Sequence, residues 1–347
     1  MRSVFFFGAC APEGFVSHAD SLLGELKTLT IIKGGSGCGK STFMRAIGRA
    51  AEEKGLDVQY LLCSSDPDSL DGVVLPSLSV GFADGTSPHV LEPRLCGGSM
   101  NYLNFGEFYD SAAMRPNEER ILAAQRENRA CYVPVTACLA AADRLLDCAR
   151  QQADQPSCRE EVAAIAECLA LSALRPVGDT PVLRRRFLSC VTPRGLWICG
   201  ETPAALCARV YVLRDSYGLA PAALELLQQK AAALGHECYV CYSPLLPKGQ
   251  PSHLLIPTAK TAFVTENADF PYDGPCFCRI DLDSTLPPRV RRDLRFCTET
   301  VSALLLEAVR HLREAKRHHD RIEQLCRPFV DFPAVTALTE RTIAALL

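Results

Sequence analysis

The chain has 347 residues, 48% of them hydrophobic, with a formal net charge of −3 and a sequence pI near 6.2. This length is typical of about two domains with buried cores. The nearly balanced charge excludes a field that would draw the whole molecule to nucleic acid or to a membrane surface, so partners are expected at local sites. The 18 cysteines follow no disulfide framework and predict reduced thiols in a cytoplasmic protein.

The N-terminal stretch FFFGACAPEGF (5–15) superficially resembles a signal peptide, but its apolar run is too short to cross a membrane. The same pattern recurs as RFLSCVTPRGL at 186–196, in the middle of the chain. Because a targeting signal would not recur there, both stretches are predicted to be strands of folded domains, and no membrane partner is expected.

One register offset of 181 residues relates the two halves of the chain. The aligned pairs include Phe6 with Phe187, Pro12 with Pro193, Gly14 with Gly195, Gly37 with Gly218 and Phe82 with Phe263. Widely spaced matches in a single register indicate a tandem duplication. We therefore predict one domain at 1–180 and a second at 181–347.

Both halves have the same predicted order of elements. Hydrophobic patterns predict strands at 29–33, 57–63, 78–83, 210–214, 238–242 and 260–265, and helices at 40–54 and 221–234. This alternation predicts an α/β fold with two parallel sheets that carry helices on both faces. Helix-rich segments at about 116–175 and 287–347 are predicted to form a helical hairpin appended to each sheet.

The segment IIKGGSGCGKST (31–42) fits a phosphate-binding loop between a buried strand and a helix. Its glycines let backbone N–H groups turn toward phosphate oxygens, Lys40 adds a full positive charge, and Ser41 is placed to hold Mg²⁺. The pattern therefore predicts a site for ATP and Mg²⁺. The predicted nucleotide-binding residues are Gly34, Gly35, Ser36, Gly37, Cys38, Gly39, Lys40, Ser41 and Thr42.

Cys38 lies inside this loop, just before the helix begins. The nearby N–H groups and Lys40 would favour its thiolate and make nucleotide binding sensitive to oxidation. The alternative is a small residue that merely fits the loop.

A phosphate loop needs an acidic residue at the end of a neighbouring strand to hold the metal. The run LSVGFAD (78–84) ends at Asp84, which we predict to be a metal ligand with Ser41 and a catalytic residue with Lys40. The alternative is an aspartate that caps a turn. No glutamate follows Asp84, so the usual water-activating base is missing, and His89 is either its substitute or a structural residue.

Three further carboxylates, Asp66, Asp68 and Asp71, follow the second predicted strand in CSSDPDSLDG (63–72). Ligands of open α/β sheets collect at this edge, so these residues could bind a second substrate or the water shell of Mg²⁺. Turn and capping chemistry explains the same residues without a function. The sequence leaves both interpretations open.

Five segments carry a more specific pattern than the phosphate loop alone: GGSGCGKST (34–42), CSSDPDSLDGVVLP (63–76), DGTSPHVLEP (84–93), NFGEFYD (104–110) and AKRHHDRIEQLCRPFVDF (315–332). Together they resemble an uncharacterised family of bacterial ATP-binding proteins built from tandem P-loop ATPase-like halves. The resemblance spans nearly the whole chain. It implies a duplicated P-loop fold that binds nucleotide, and it implies no particular substrate.

The second half departs from that family, in which it commonly keeps a phosphate loop of its own. Here Gly34, Gly39, Lys40, Ser41 and Asp84 correspond to Asp215, Ala220, Pro221, Ala222 and Thr265. We therefore expect one nucleotide per chain, bound by the first half, with the second half as a folded partner. An arginine from 184–214, such as Arg194 or Arg214, is expected to point at the nucleotide from the second half.

These features predict a slow or partner-stimulated Mg-ATP-binding P-loop ATPase with a pseudo-ATPase second half. One alternative is a small-molecule kinase, in which Asp66 or Asp68 holds an acceptor hydroxyl. Another is a nucleotide-gated interaction protein, in which ATP shifts the helical segments. The expected partners are ATP and either a protein or a small-molecule acceptor.

Overall fold

The computed structural model describes residues 1–88, 90–92 and 98–347. The strands of the first half are β1 (Arg2–Phe6), β2 (Gly8–Ala11), β3 (Gly14–Ser17), β4 (Thr28–Lys33), β5 (Val58–Leu62), β6 (Leu70–Leu75), β7 (Val80–Asp84) and β8 (Met100–Asn104). Its helices are α1 (Ala19–Glu25), α2 (Lys40–Glu53), α3 (Ser111–Met114), α4 (Glu118–Ala153) and α5 (Pro156–Ala173).

The second half repeats this series. Its strands are β9 (Val182–Arg186), β10 (Ser189–Thr192), β11 (Gly195–Ile198), β12 (Arg209–Arg214), β13 (Glu237–Ser243), β14 (Leu246–Ile256), β15 (Thr261–Glu266) and β16 (Cys278–Asp281). Its helices are α6 (Glu201–Leu206), α7 (Ala220–Ala233), α8 (Pro288–Asp293), α9 (Arg295–Cys326) and α10 (Phe332–Leu346). The predicted strands and loop helices therefore fall within about two residues of the observed ones, which is the usual uncertainty at element ends.

The two halves share one sheet topology. Within the described residues, the six-stranded sheets have the orders β1-β5-β6-β7-β4-β8 and β9-β13-β14-β15-β12-β16. Matching backbone conformations recur, since Gly37 and Gly218 have φ values of 77° and 82°, and Ser79 and Lys260 have φ values of 55° and 51°. This correspondence fits the predicted tandem duplication.

Both sheets are mixed, so the prediction of parallel sheets was wrong. Strand β6 runs antiparallel to β5 and β7, and β14 runs antiparallel to β13 and β15. The physical reason is the length of the connections, because short loops join only antiparallel neighbours and a parallel pair needs a crossover of a dozen or more residues. The sequence did not identify the strand LDGVVL because it directly follows an Asp- and Ser-rich turn.

The long helices do not form a separate hairpin on each sheet, as the sequence predicted. Helix α4 packs along α9, α5 packs on α7 of the second half, and α10 packs on α2 of the first half. At 36 residues, α4 is about 54 Å long, which is enough to carry the chain from one half to the other. Each half therefore supplies the helix that covers the loop helix of the other half. Among the described residues, no helix has both the length and the apolar character to cross a membrane.

One face of each sheet packs on its own loop helix, and the opposite faces meet in a core that both halves share. Glu25 of α1 joins the halves here, because Arg184 and Arg186 of β9 each donate to it at 2.7 Å. Burial raises the pKa of Glu25, but the two guanidinium groups lower it overall. Cys238 and Cys241 lie in different cores and therefore face opposite sides of β13.

Candidate functional site

The loop at residues 34–39 connects β4 to α2 at the carboxyl edge of the first sheet. Strand β4 lies between β7 and β8, and its Ile32 is in register with Asp84 at the end of β7. This register places Asp84 beside the start of the loop. Gly37 and Gly39 adopt φ values of 77° and 95°, which residues other than glycine rarely adopt.

Lys40 and Asp84 lie together at the loop. The Lys40 ammonium donates to the carbonyls of Gly34 at 2.7 Å and Gly35 at 2.8 Å, and lies 3.5 Å from Oδ2 of Asp84. The other carboxylate oxygen of Asp84 accepts from the backbone N–H of Thr86 at 2.8 Å. These two side chains are only 11% and 12% exposed, so their charges interact in a weakly hydrated environment.

The neighbouring polar residues occupy different positions. Ser41 Oγ accepts a hydrogen bond from the N–H of Leu70 at 2.9 Å, which fixes it beside β6, whereas Thr42 is exposed. The buried Cys38 thiol donates to the Gly35 carbonyl at 3.1 Å. Burial raises the pKa of Cys38, although Lys40 opposes the shift. The structure therefore favours a small residue that fits the loop over a reactive thiolate.

The two copies of the loop differ in what their backbone N–H groups bind. In the second half, Asp215 Oδ1 accepts from the N–H groups of Tyr217, Gly218 and Leu219 at 3.1, 2.8 and 2.9 Å, and Oδ2 accepts from Ala220 at 2.7 Å. Asp215 is only 4% exposed. The second loop thus encloses a carboxylate from its own first residue.

The equivalent position in the first half is Gly34, which has no side chain. No acceptor within the described residues pairs with the N–H groups of Ser36, Gly37, Cys38 or Gly39, which correspond to the four donors around Asp215. Buried or partly buried N–H groups are normally satisfied. The carboxylate of Asp215 therefore stands in for an anion, and the first loop leaves the same set of donors available to a ligand.

Two of the three acidic residues after β5 form ion pairs with side chains from the second half. Asp66 Oδ1 lies 3.6 Å from the ammonium of Lys316, and Asp68 forms an ion pair with Arg194. Asp71 is buried beside Cys63, whose pKa is raised by burial and by this carboxylate. The structure thus places Asp66 and Asp68 in contacts between the halves, whereas Asp71 lies beside Cys63 of its own half.

Sequence reasoning missed Arg327, which lies against the loop. A Cβ atom built on Gly37 would lie 2.9 Å from Cγ of Arg327 and 3.4 Å from the backbone of Glu323, both from the second half. Arg327 also lies over the ring of Phe332 at 5.9 Å and is exposed. Only the chain path from α9 to α10 brings it here, so no local signal marks it. Of the two arginines expected to point at the nucleotide, Arg194 forms an ion pair with Asp68, and Arg214 is exposed.

An equivalent contact occurs in the second half. A Cβ built on Gly218 would lie 2.4 Å from Cγ of Arg150. Arg150 is near the end of α4, as Arg327 is at the end of α9, so the two arginines occupy equivalent positions. Arg150 is bound by acidic neighbours, at 3.6 Å from Asp143 and 3.4 Å from Asp147. Among the described residues, Arg327 has no carboxylate within 4.0 Å, so its charge is available at the first loop.

The second half contains a cavity of about 310 Å³ beside its loop. It is bounded by Ser216 and Tyr217 of the loop, Thr265 at the end of β15, and Leu146 of α4. None of the described residues that line it is a lysine or an arginine, and burial lowers the pKa of the adjacent His253 to about 3, so that ring is neutral. The cavity therefore lacks the positive charge that a nucleotide triphosphate requires.

The first-half residues fit a magnesium nucleotide in their chemistry. Ser41 and Asp84 supply oxygen ligands, which Mg²⁺ prefers, and the free N–H groups with Lys40 supply donors for phosphate oxygens. His89 lies outside the described residues. No family model, no curated protein and no solved structure shows significant similarity to this chain, so the site is interpreted from its own residues and from the comparison of its halves.

Proposed function

We propose that the first half binds one Mg-ATP at the loop formed by residues 34–42. The observation that carries this proposal is the set of four free N–H groups at Ser36–Gly39. Their counterparts in the second half are occupied by the Asp215 carboxylate, which is evidence from the same chain that this loop conformation binds an anionic group. Glycine at position 34 keeps the first loop open for a phosphate.

The residues have separate roles in this proposal. The N–H groups hold phosphate oxygens. The Lys40 ammonium leaves the carbonyls of Gly34 and Gly35 and pairs with the phosphate charge instead. Ser41 and Asp84 hold Mg²⁺ or its water shell. When bound, Mg-ATP supplies a phosphoanhydride bond whose hydrolysis gives ADP and phosphate.

The proposed activity is slow or partner-stimulated hydrolysis. Asp84 is followed by Gly85, so the strand end offers no carboxylate at the position where vigorous ATPases keep a water-activating base. The second half contributes helices and Arg327 to the first site and, with its own loop filled by Asp215, acts as a pseudo-ATPase.

Calorimetric titration with Mg-ATP tests the binding. We expect one nucleotide per chain, with AMP binding far more weakly because it lacks the β and γ phosphates that Lys40 and the N–H groups would contact. Two nucleotides per chain would show that the second loop is also functional. No binding at all would remove the proposal.

Arg327→Ala is expected to weaken Mg-ATP binding about twofold to fivefold. An exposed charge pair contributes roughly 0.5–1 kcal/mol, and Arg327 is an exposed cation against Gly37. Arg327→Lys should recover part of the loss. Arg317→Ala removes an exposed arginine from α9, the helix that precedes Arg327, and should leave the dissociation constant unchanged. Equal affinities for all of these proteins would exclude a role for Arg327.

A nucleotide-gated interaction protein is the second candidate. It is favoured by the contacts of the second half with the loop, where Arg327 lies against Gly37 and Val335 Cγ1 would be 3.3 Å from a Cβ on Gly39. A ligand in the loop would therefore contact or displace residues at the end of α9 and in α10. The kinase is less favoured, because Asp66 and Asp68 are already paired with Lys316 and Arg194.

A further inference from the structure

Three side chains near the end of α9 form a compact group of metal-ligating atoms. His319, Asp320 and Glu323 each offer one ligand atom, and these atoms all lie within 4.8 Å of one another. His319 and Glu323 are four residues apart and share one face of the helix. One imidazole and two carboxylates make a mixed nitrogen and oxygen ligand set, which suits a divalent first-row transition-metal ion better than Mg²⁺.

The partners of this group point to a missing ligand. Nδ1 of His319 is buried and has no hydrogen-bond partner within the described residues. A buried polar atom without a partner costs free energy, so it calls for an explanation such as a bound ion. Asp320 is paired with Lys316, which also lies 3.6 Å from Asp66. Lys316 can therefore remain on Asp66 when a metal takes its place at Asp320.

One member of the group lies against the first-half loop. A Cβ built on Gly37 would lie 3.4 Å from both Cα and Cβ of Glu323. Glu323 therefore belongs to the second half of the chain but contacts the loop of the first half.

The two halves provide an internal comparison. Arg327 lies on Gly37 as Arg150 lies on Gly218, which sets an offset of 177 residues between the ends of α9 and α4. With this offset, His319, Asp320 and Glu323 correspond to Ala142, Asp143 and Leu146. The second-half loop, which lacks the lysine and the serine, thus faces α4, which lacks the histidine and the glutamate. The first-half loop, which has Lys40 and Ser41, faces α9 with all three metal-ligating side chains. This correlation indicates that both sets of residues belong to one site.

We propose that His319, Asp320 and Glu323 form a divalent transition-metal site that the second half supplies to the loop of the first half. This site is distinct from the expected Mg²⁺ ligands Ser41 and Asp84. The three side chains bind the ion directly, and water completes its coordination. The site itself does not require nucleotide; its place beside the phosphates rests on the proposed function.

Electron paramagnetic resonance with Mn²⁺ tests the site in the full-length, nucleotide-free protein. Mn²⁺ is a suitable probe because its preference for oxygen ligands limits competition from the many cysteines. We expect one bound Mn²⁺ per chain, with affinity reduced about tenfold or more in His319→Ala and in Glu323→Gln. His318→Gln is the matched control, since His318 is the adjacent histidine but its Nδ1 lies 3.2 Å from a carboxylate oxygen of Glu127 in α4.

Circular dichroism of each variant establishes that the fold is retained. The proposal is overturned if the wild-type protein binds no Mn²⁺, or if His319→Ala and Glu323→Gln bind it as tightly as His318→Gln does. Mn²⁺ binding without any ATP binding would support the metal site and remove the nucleotide proposal. ATP binding without Mn²⁺ binding in the nucleotide-free protein would support the nucleotide proposal and remove the metal site.

Discussion

Lys40→Ala is expected to weaken Mg-ATP binding by at least about tenfold. A charge-assisted hydrogen bond contributes roughly 1.5–3 kcal/mol, which is about 10-fold to 150-fold in affinity. The Lys40 side chain is only 11% exposed and already lies at the loop, where it donates to Gly34 and Gly35. Calorimetric titration of the variant against the wild-type protein measures the loss.

Pro221→Lys is the matched variant at the equivalent position of the second half. It should leave both the stoichiometry and the affinity unchanged, because the second loop is filled by Asp215 and lacks counterparts of Ser41 and Asp84. Tight binding that survives Lys40→Ala, or a second nucleotide bound by Pro221→Lys, would show that the two halves have been assigned incorrectly.

Asp215→Gly is expected to lower the free energy of unfolding by about 3–5 kcal/mol, measured by urea denaturation. Four backbone N–H groups lose the only acceptor that they have among the described residues. Each unsatisfied donor in a buried site costs roughly 1–3 kcal/mol before water or relaxation reduces the total. Asp273→Ala, which removes an exposed carboxylate from the same half, should change the stability by less than about 0.5 kcal/mol.

Acetate provides the second arm of this experiment. It has the size of the deleted side chain, so at constant ionic strength it should restore part of the stability of Asp215→Gly and have no such effect on the wild-type protein. That result would demonstrate that this loop conformation binds an anion, which is the physical basis of the ATP proposal for the first half. An Asp215→Gly protein as stable as the wild type, or one that acetate does not stabilise, would contradict it.

The sequence was informative wherever the signal is local. The strand before the loop, the glycines at 37 and 39, and the start of α2 at Lys40 follow from hydrophobic runs and from backbone conformations that only glycine adopts readily. Asp84 could be placed near Lys40 because neighbouring parallel strands end at the same sheet edge. The sequence also predicted that the second loop does not bind nucleotide, since each difference from the first loop removes a charge, a ligand or a glycine.

The sequence by itself determined the duplication, the position of the candidate loop and which half retains its residues. Only the tertiary structure decided that β6 and β14 run antiparallel, that α5 and α10 cover the opposite halves, and that Asp215 fills its own loop. It also decided that Arg327 and Glu323 reach Gly37 from the second half. The reason is physical: helix periodicity fixes which residues share a face, but the partner of that face is set by long-range packing between chain segments nearly 300 residues apart.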